Sequence, residues 1–151
     1  MGHRHLLVLN GPNLNMLGTR EPALYGGETL ADVERITAQR AEELGYKTDF
    51  FQSNWEGALI DRVQEARGTS CGVVINPGAF THTSVALRDA LLASELLVAE
   101  VHITNVHKRE PFRHHSYISD IAEAVFVGAG IQGYVYGVEA LHRAIERREK
   151  T

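Results

Sequence analysis

Short apolar runs alternate with stretches of helical periodicity along the whole chain. The runs at 5–10 (HLLVLN), 46–52 (YKTDFFQ), 72–76 (GVVIN), 97–103 and 124–127 (AVFV) predict strands. The run at 72–76 is almost continuously apolar, as a strand covered on both faces should be. Between the first two runs, 29–44 places Leu30, Val33, Ile36, Ala41 and Leu44 on one helical stripe, with Thr29 as a candidate N-cap and Gly45 as a stop. Residues 55–66 predict a second helix, preceded by Ser53 or Asn54 and followed by Gly68. Residues 84–94 predict a third, opened by Thr83 or Ser84, and 134–148 a last one with a charged tail.

Strict alternation of strand and helix implies an α/β fold, a parallel sheet with helices on both faces. Five strands favour the flavodoxin-like order 2-1-3-4-5 over a dinucleotide-binding sheet. The length of 151 residues predicts one domain spanning 1–151, large enough to bury a core without a disulfide or metal staple. A 44% hydrophobic, 23% charged composition is that of an ordinary globular chain. The single cysteine, Cys71, fits a reducing compartment. The first apolar run is too short for a signal peptide, and no run approaches the roughly 18–20 residues of a membrane span, so a cytoplasmic location is expected. A formal net charge of -4 without a basic stripe argues against nucleic-acid or membrane-surface partners.

Three connections are rich in polar chemistry: 11–28, 77–83 and 104–119. The first far exceeds the roughly two to six residues usual after a strand. They follow the first, third and fourth strands, so in the predicted order they converge at the carboxyl edge, where open α/β sheets bind ligands. The first carries Asn13, Asn15, Arg20, Glu21 and Tyr25. A guanidinium beside a phenol favours phenolate and brings it nearer to use as a base; equally, Tyr25 could anchor the loop and Arg20 be a solvated charge. Gly18, Gly26 and Gly27 suit a segment that opens and closes. At the third-strand exit stand Asn76, Gly78 and His82, the last just before a helix N-terminus. Strand alternation points Glu100 and His102 to one face. A carboxylate so placed can orient an imidazole and favour its acid form, though a purely structural pair would look the same. Lys108, Arg109, Arg113, His114 and His115 follow and suggest an anionic small molecule, with Arg109 and Glu110 readable as a solvent-facing pair.

Other chemistries find less support. Eight histidines raise the question of metal, but neither H-E-x-x-H nor C-x-x-C spacing occurs, and the adjacent His114 and His115 tend to point apart. No G-x-S-x-G elbow supports a hydrolase using Ser84 or His82. No phosphate-cradling glycine loop follows the first strand, as a nucleotide or flavin module would need. A phosphoryl-receiving module would want acidic strand tips, where this chain has Asn10 and Asn76.

Three segments, LNGPNLNMLGTREPALYG (9–26), INPGAFTHTSVALRDAL (75–91) and EVHITNVHKREPFRHHSYIS (100–119), together with the terminal stretch around Tyr136–Leu141, resemble type II 3-dehydroquinate dehydratase over essentially the whole chain. The resemblance implies reversible anti dehydration of 3-dehydroquinate to 3-dehydroshikimate through an enolate, with no cofactor, metal or Schiff base. It implies that Tyr25 is the base, activated by Arg20, and that Asn13 helps a bound water stabilise the enolate. His102 matches the general acid and Glu100 its orienting carboxylate. Asn76 with the backbone N–H groups of Ile103 and Thr104 matches the carboxylate-binding set. His82 and Arg113 match residues that hold ring hydroxyls. Asp89 matches a residue inserted from a neighbouring subunit of a homododecamer built from trimers. Thr104 stands where Ser is common, and Pro111 replaces a commoner acidic residue near Arg113.

Overall fold

Alternation decides which side of the sheet each strand residue feeds. In the computed structural model, which describes residues 4–19 and 27–151, the strands are β1 His5–Asn10, β2 Lys47–Gln52, β3 Gly72–Asn76, β4 Leu97–His102 and β5 Ala124–Val127. The helices are α1 Leu30–Glu43, α2 Glu56–Ala66, α3 Val85–Ser94 and α4 Gln132–Glu149. All four strand pairings are parallel and the order is β2-β1-β3-β4-β5, as the strand–helix alternation predicts. Leu6, Val8, Val74, Ala99 and Val101 pack with Val33 and Ala41 of α1 and with Tyr134, Val138 and Leu141 of α4. Leu7, Leu9, Val73, Ile75 and Val98 pack with Leu59 and Val63 of α2 and Leu87 and Leu91 of α3. A two-sided core therefore explains why the central strands read as unbroken apolar runs.

Helix starts follow local hydrogen bonding. Thr29 and Asp32 form a reciprocal capping box: the Asp32 N–H donates to Thr29 Oγ1 (3.3 Å) and the Thr29 N–H to Asp32 Oδ2 (2.9 Å). Ser84, not Thr83, caps α3 by accepting from the Leu87 N–H at 2.9 Å. α2 differs from expectation. Its N-cap is Trp55, without a side-chain bond, because Ser53 Oγ accepts the Trp55 N–H itself (3.0 Å). α4 begins at Gln132, two residues earlier than its apolar stripe suggests, and β4 ends at His102, so Ile103 already leaves the sheet.

The exits of β1 and β3 are drawn tightly together. Asn10 pairs with Asn76 in the register, and the Gly11 N–H donates to the Asn76 carbonyl at 2.8 Å. A Cβ on Gly11 would lie 2.3 Å from the Pro77 oxygen, so only glycine fits there. No helix among the described residues is long and apolar enough to cross a membrane.

Candidate active site at the carboxyl edge of the sheet

The exits of β1, β3 and β4 enclose a cleft of about 330 Å³. Asn13, Asn76, His82, His102, Ile103, Thr104, Arg109 and Arg113 line it, with Leu14, Met16, Leu17 and Val106 as apolar wall. No Asp or Glu is among its described lining residues, so its local field favours an anion despite the chain's net negative charge. A wider hollow of about 920 Å³ lies at the opposite, amino edge. Two of its cations are matched to carboxylates, Arg4 to Glu149 and Arg67 to Glu95, each at 3.9 Å.

Beneath the cleft, behind His102, Glu100 is fully buried and its Oε2 lies 2.5 Å from His102 Nε2. A carboxylate only accepts, so Nε2 carries the hydrogen and Nδ1 is left for a ligand. Three hydroxyls complete the carboxylate's surroundings: Thr81 (2.8 Å) and Ser116 (2.9 Å) donate to Oε2, and Ser119 (2.5 Å) to Oε1. Ser116 Oγ in turn accepts the N–H groups of Ile118 and Ser119 and lies 2.7 Å from Thr81 Oγ1, which ties the two hydroxyls together beside Glu100. Burial pushes the Glu100 carboxyl up. The hydrogen bonds from His102, Ser119 and Thr81, with the charge of His102, outweigh that push and hold it below the ordinary carboxylate value.

The other walls are equally built. His82 Nδ1–H donates to the His115 carbonyl at 2.7 Å, leaving Nε2 for the cleft. Arg113 is steadied by Glu110 (Nε to Oε1, 3.0 Å) and its guanidinium lies over the Phe112 ring, 5.1 Å from the centroid. Pro111 opens the short turn Pro111–Arg113 that presents this arginine, a position proline favours. Glu110 thus binds Arg113 more closely than Arg109, which is 3.8 Å away, half exposed, and at the cleft rim rather than merely solvent-facing. Asn13 adopts φ 71, a left-handed conformation asparagine tolerates, and its N–H donates to Asn54 Oδ1 at 3.0 Å.

Some predicted residues stand elsewhere. Arg20, Glu21 and Tyr25 lie outside the described residues. Asn15 is exposed and accepts from Gln52 at 3.4 Å. Lys108, His114 and His115 are exposed and do not line the cleft; His114 leans on His107 and His115 stands edge-on to Tyr117. Asp89 is exposed on α3 and is not among the residues lining this chain's own cleft. Cys71 sits at the amino edge with its thiol pushed up by burial. Among the described residues no three His, Cys, Asp or Glu side chains gather as a metal site.

Sequence reasoning missed Thr81, Ser116 and Ser119 around Glu100, and the contact of Tyr134 with Asn10 and Asn76. Ser and Thr in polar loops leave no periodic signal, and Tyr134 reads as one more apolar position of α4.

Residues 4–142 match the family model described as dehydroquinase class II. The catabolic 3-dehydroquinase 1 of Neosartorya fischeri is 57% identical over 147 residues, covering 97% of each chain. The 3-dehydroquinate dehydratase of Actinobacillus pleuropneumoniae is 55% identical over 136 residues, covering 90% of this chain and 88% of that one. The solved type II dehydroquinase of Butyrivibrio crossotus superposes with TM-score 0.87 at 43% identity, covering 93% of this chain and 99% of that one.

Proposed function

Since the chain belongs to the class II dehydroquinase family, we propose that it converts 3-dehydroquinate reversibly to 3-dehydroshikimate by general base and general acid steps on opposite sides of the ring. The observation that carries this reading is the buried Glu100 bonded to His102 beneath the cleft. Tyr25, activated by Arg20, takes the proton next to the ketone. The electron pair moves into the carbonyl and gives an enolate, stabilised by a water held at Asn13. The enolate then re-forms the ketone as the C1 hydroxyl departs with a proton from His102 Nδ1, so one water leaves and an enone remains. Glu100 fixes the ring orientation and places a negative charge beside it.

Binding follows the same division of labour. Asn76 and the N–H groups of Ile103 and Thr104 receive the substrate carboxylate; His82 and Arg113 hold ring hydroxyls. No step calls for a metal or an imine, so activity should survive chelator, and borohydride added with substrate should not inactivate.

The deciding experiment is the direct assay with 3-dehydroquinate, followed through the enone absorbance of the product. Wild type should turn over, and Tyr25→Phe and His102→Ala should each lose roughly 10²–10⁴-fold in kcat with the fold intact by circular dichroism. Near-wild-type rates in either variant would overturn its role.

A further inference from the structure

Tyr134 takes no part in the steps above, yet its side chain is fully buried beneath two strand tips at the cleft. Its hydroxyl lies 3.0 Å from Asn76 Nδ2 and 2.5 Å from Asn10 Oδ1. The polarity of this network is dictated by one backbone group. The Gly78 N–H points at the Asn76 side chain at 3.1 Å and can only donate, so the atom it meets must be Oδ1. The Asn76 NH₂ therefore faces Tyr134, whose oxygen accepts from it. The phenol has a single proton, which is then free to go only to Asn10 Oδ1. Burial raises the Tyr134 phenol and keeps that proton in place.

Asn76 lines the cleft, and its NH₂ carries a second hydrogen that neither Tyr134 nor Gly78 uses. We propose that Tyr134 is a positioning residue that, together with the Gly78 N–H, holds the polarity of the Asn76 amide, so that the cleft is offered an N–H donor and not a carbonyl, and a ligand with an acceptor such as a carboxylate is selected at that point. This rests on the reading of Asn76 as part of the carboxylate-binding set. Removing the phenol oxygen takes away the acceptor that holds the NH₂ inward. Only the Gly78 N–H then opposes rotation of the amide, and turned conformers that present a carbonyl, which repels a carboxylate, become populated.

The test measures steady-state kinetics and the inhibition constants of two probes, quinate and its primary carboxamide, on wild type, Tyr134→Phe and Asn10→Leu. Asn10→Leu keeps the number and branching of side-chain heavy atoms but removes the acceptor for the phenol proton, and it serves if Tyr134→Phe folds poorly. Expected are a KM increased roughly fivefold or more with kcat much less affected, and a preference for carboxylate over carboxamide reduced by a similar factor. A merely structural tie would lower the melting temperature and leave the probe ratio alone. An unchanged KM and probe ratio in a folded variant overturns the inference. Absence of 3-dehydroquinate turnover in wild type overturns instead the function it rests on.

Discussion

Glu100 makes the strongest demand of any single side chain. An ionised carboxylate withdrawn from water is unfavourable by several kcal/mol unless donors replace its hydration. His102, Thr81, Ser116 and Ser119 are those donors. Because the folded carboxyl titrates below its ordinary value near 4.5, the pairing adds stability that is full above that value and is lost as pH falls through the folded one. Glu100→Gln should therefore cost about 1–3 kcal/mol near neutrality, and the difference from wild type should shrink in acid below pH 4.5. Urea unfolding of both proteins at neutral pH and in mild acid below the ordinary carboxylate value checks this; a gap of the same size at both would mean that Glu100 is not held ionised by its neighbours.

Elements matter here through how closely they approach. α4 crosses the sheet with Gly133 and Gly137 against it, and a Cβ at Gly137 would meet Val74 Cγ1 at 3.1 Å and Val101 Cγ2 at 3.4 Å. That approach lets Tyr134 on the same helix reach Asn10 and Asn76. Gly137→Ala should overpack the interface and destabilise by about 1–3 kcal/mol, with a raised KM as Tyr134 is displaced. Gly57, in α2, has nothing within 4 Å of the point where a methyl group would stand, so Gly57→Ala should be neutral or stabilising by about 0.4–1 kcal/mol with unchanged kinetics. Denaturant midpoints and KM values for the pair decide it, since equal effects would show that helix propensity and not packing governs both sites.

For the molecule as a whole, charge and size carry separate messages. The net charge of -4 coexists with a cleft whose described lining has no carboxylate, so the field a ligand meets is local. Asp89 stands exposed on α3 and is not among the described residues that line this chain's own cleft. The proposal that Asp89 completes a neighbour's cleft in a dodecamer gives two expectations. Light scattering should return about twelve chain masses, and Asp89→Ala should lower kcat/KM by roughly tenfold, as for the loss of a hydrogen bond to a charged group, without changing that mass. A monomer with full activity would remove both.

The order of elements, the parallel sheet and the convergence of three loops at its carboxyl edge were all legible in the chain. Periods of two and of about 3.6 residues are local, and parallel alternation leaves few ways to arrange the strands. Glu100 and His102 were legible for the same reason, being two apart on one strand. The hydroxyl cage and the tyrosine network were not. They join residues 16, 19, 58 and 124 positions apart through single polar atoms, and such contacts impose no period on the sequence. Which end of the Asn76 amide faces the cleft is settled by a backbone N–H and a distant phenol meeting it in space, because an amide's two ends are alike in shape and differ only in the partners that folding brings to them.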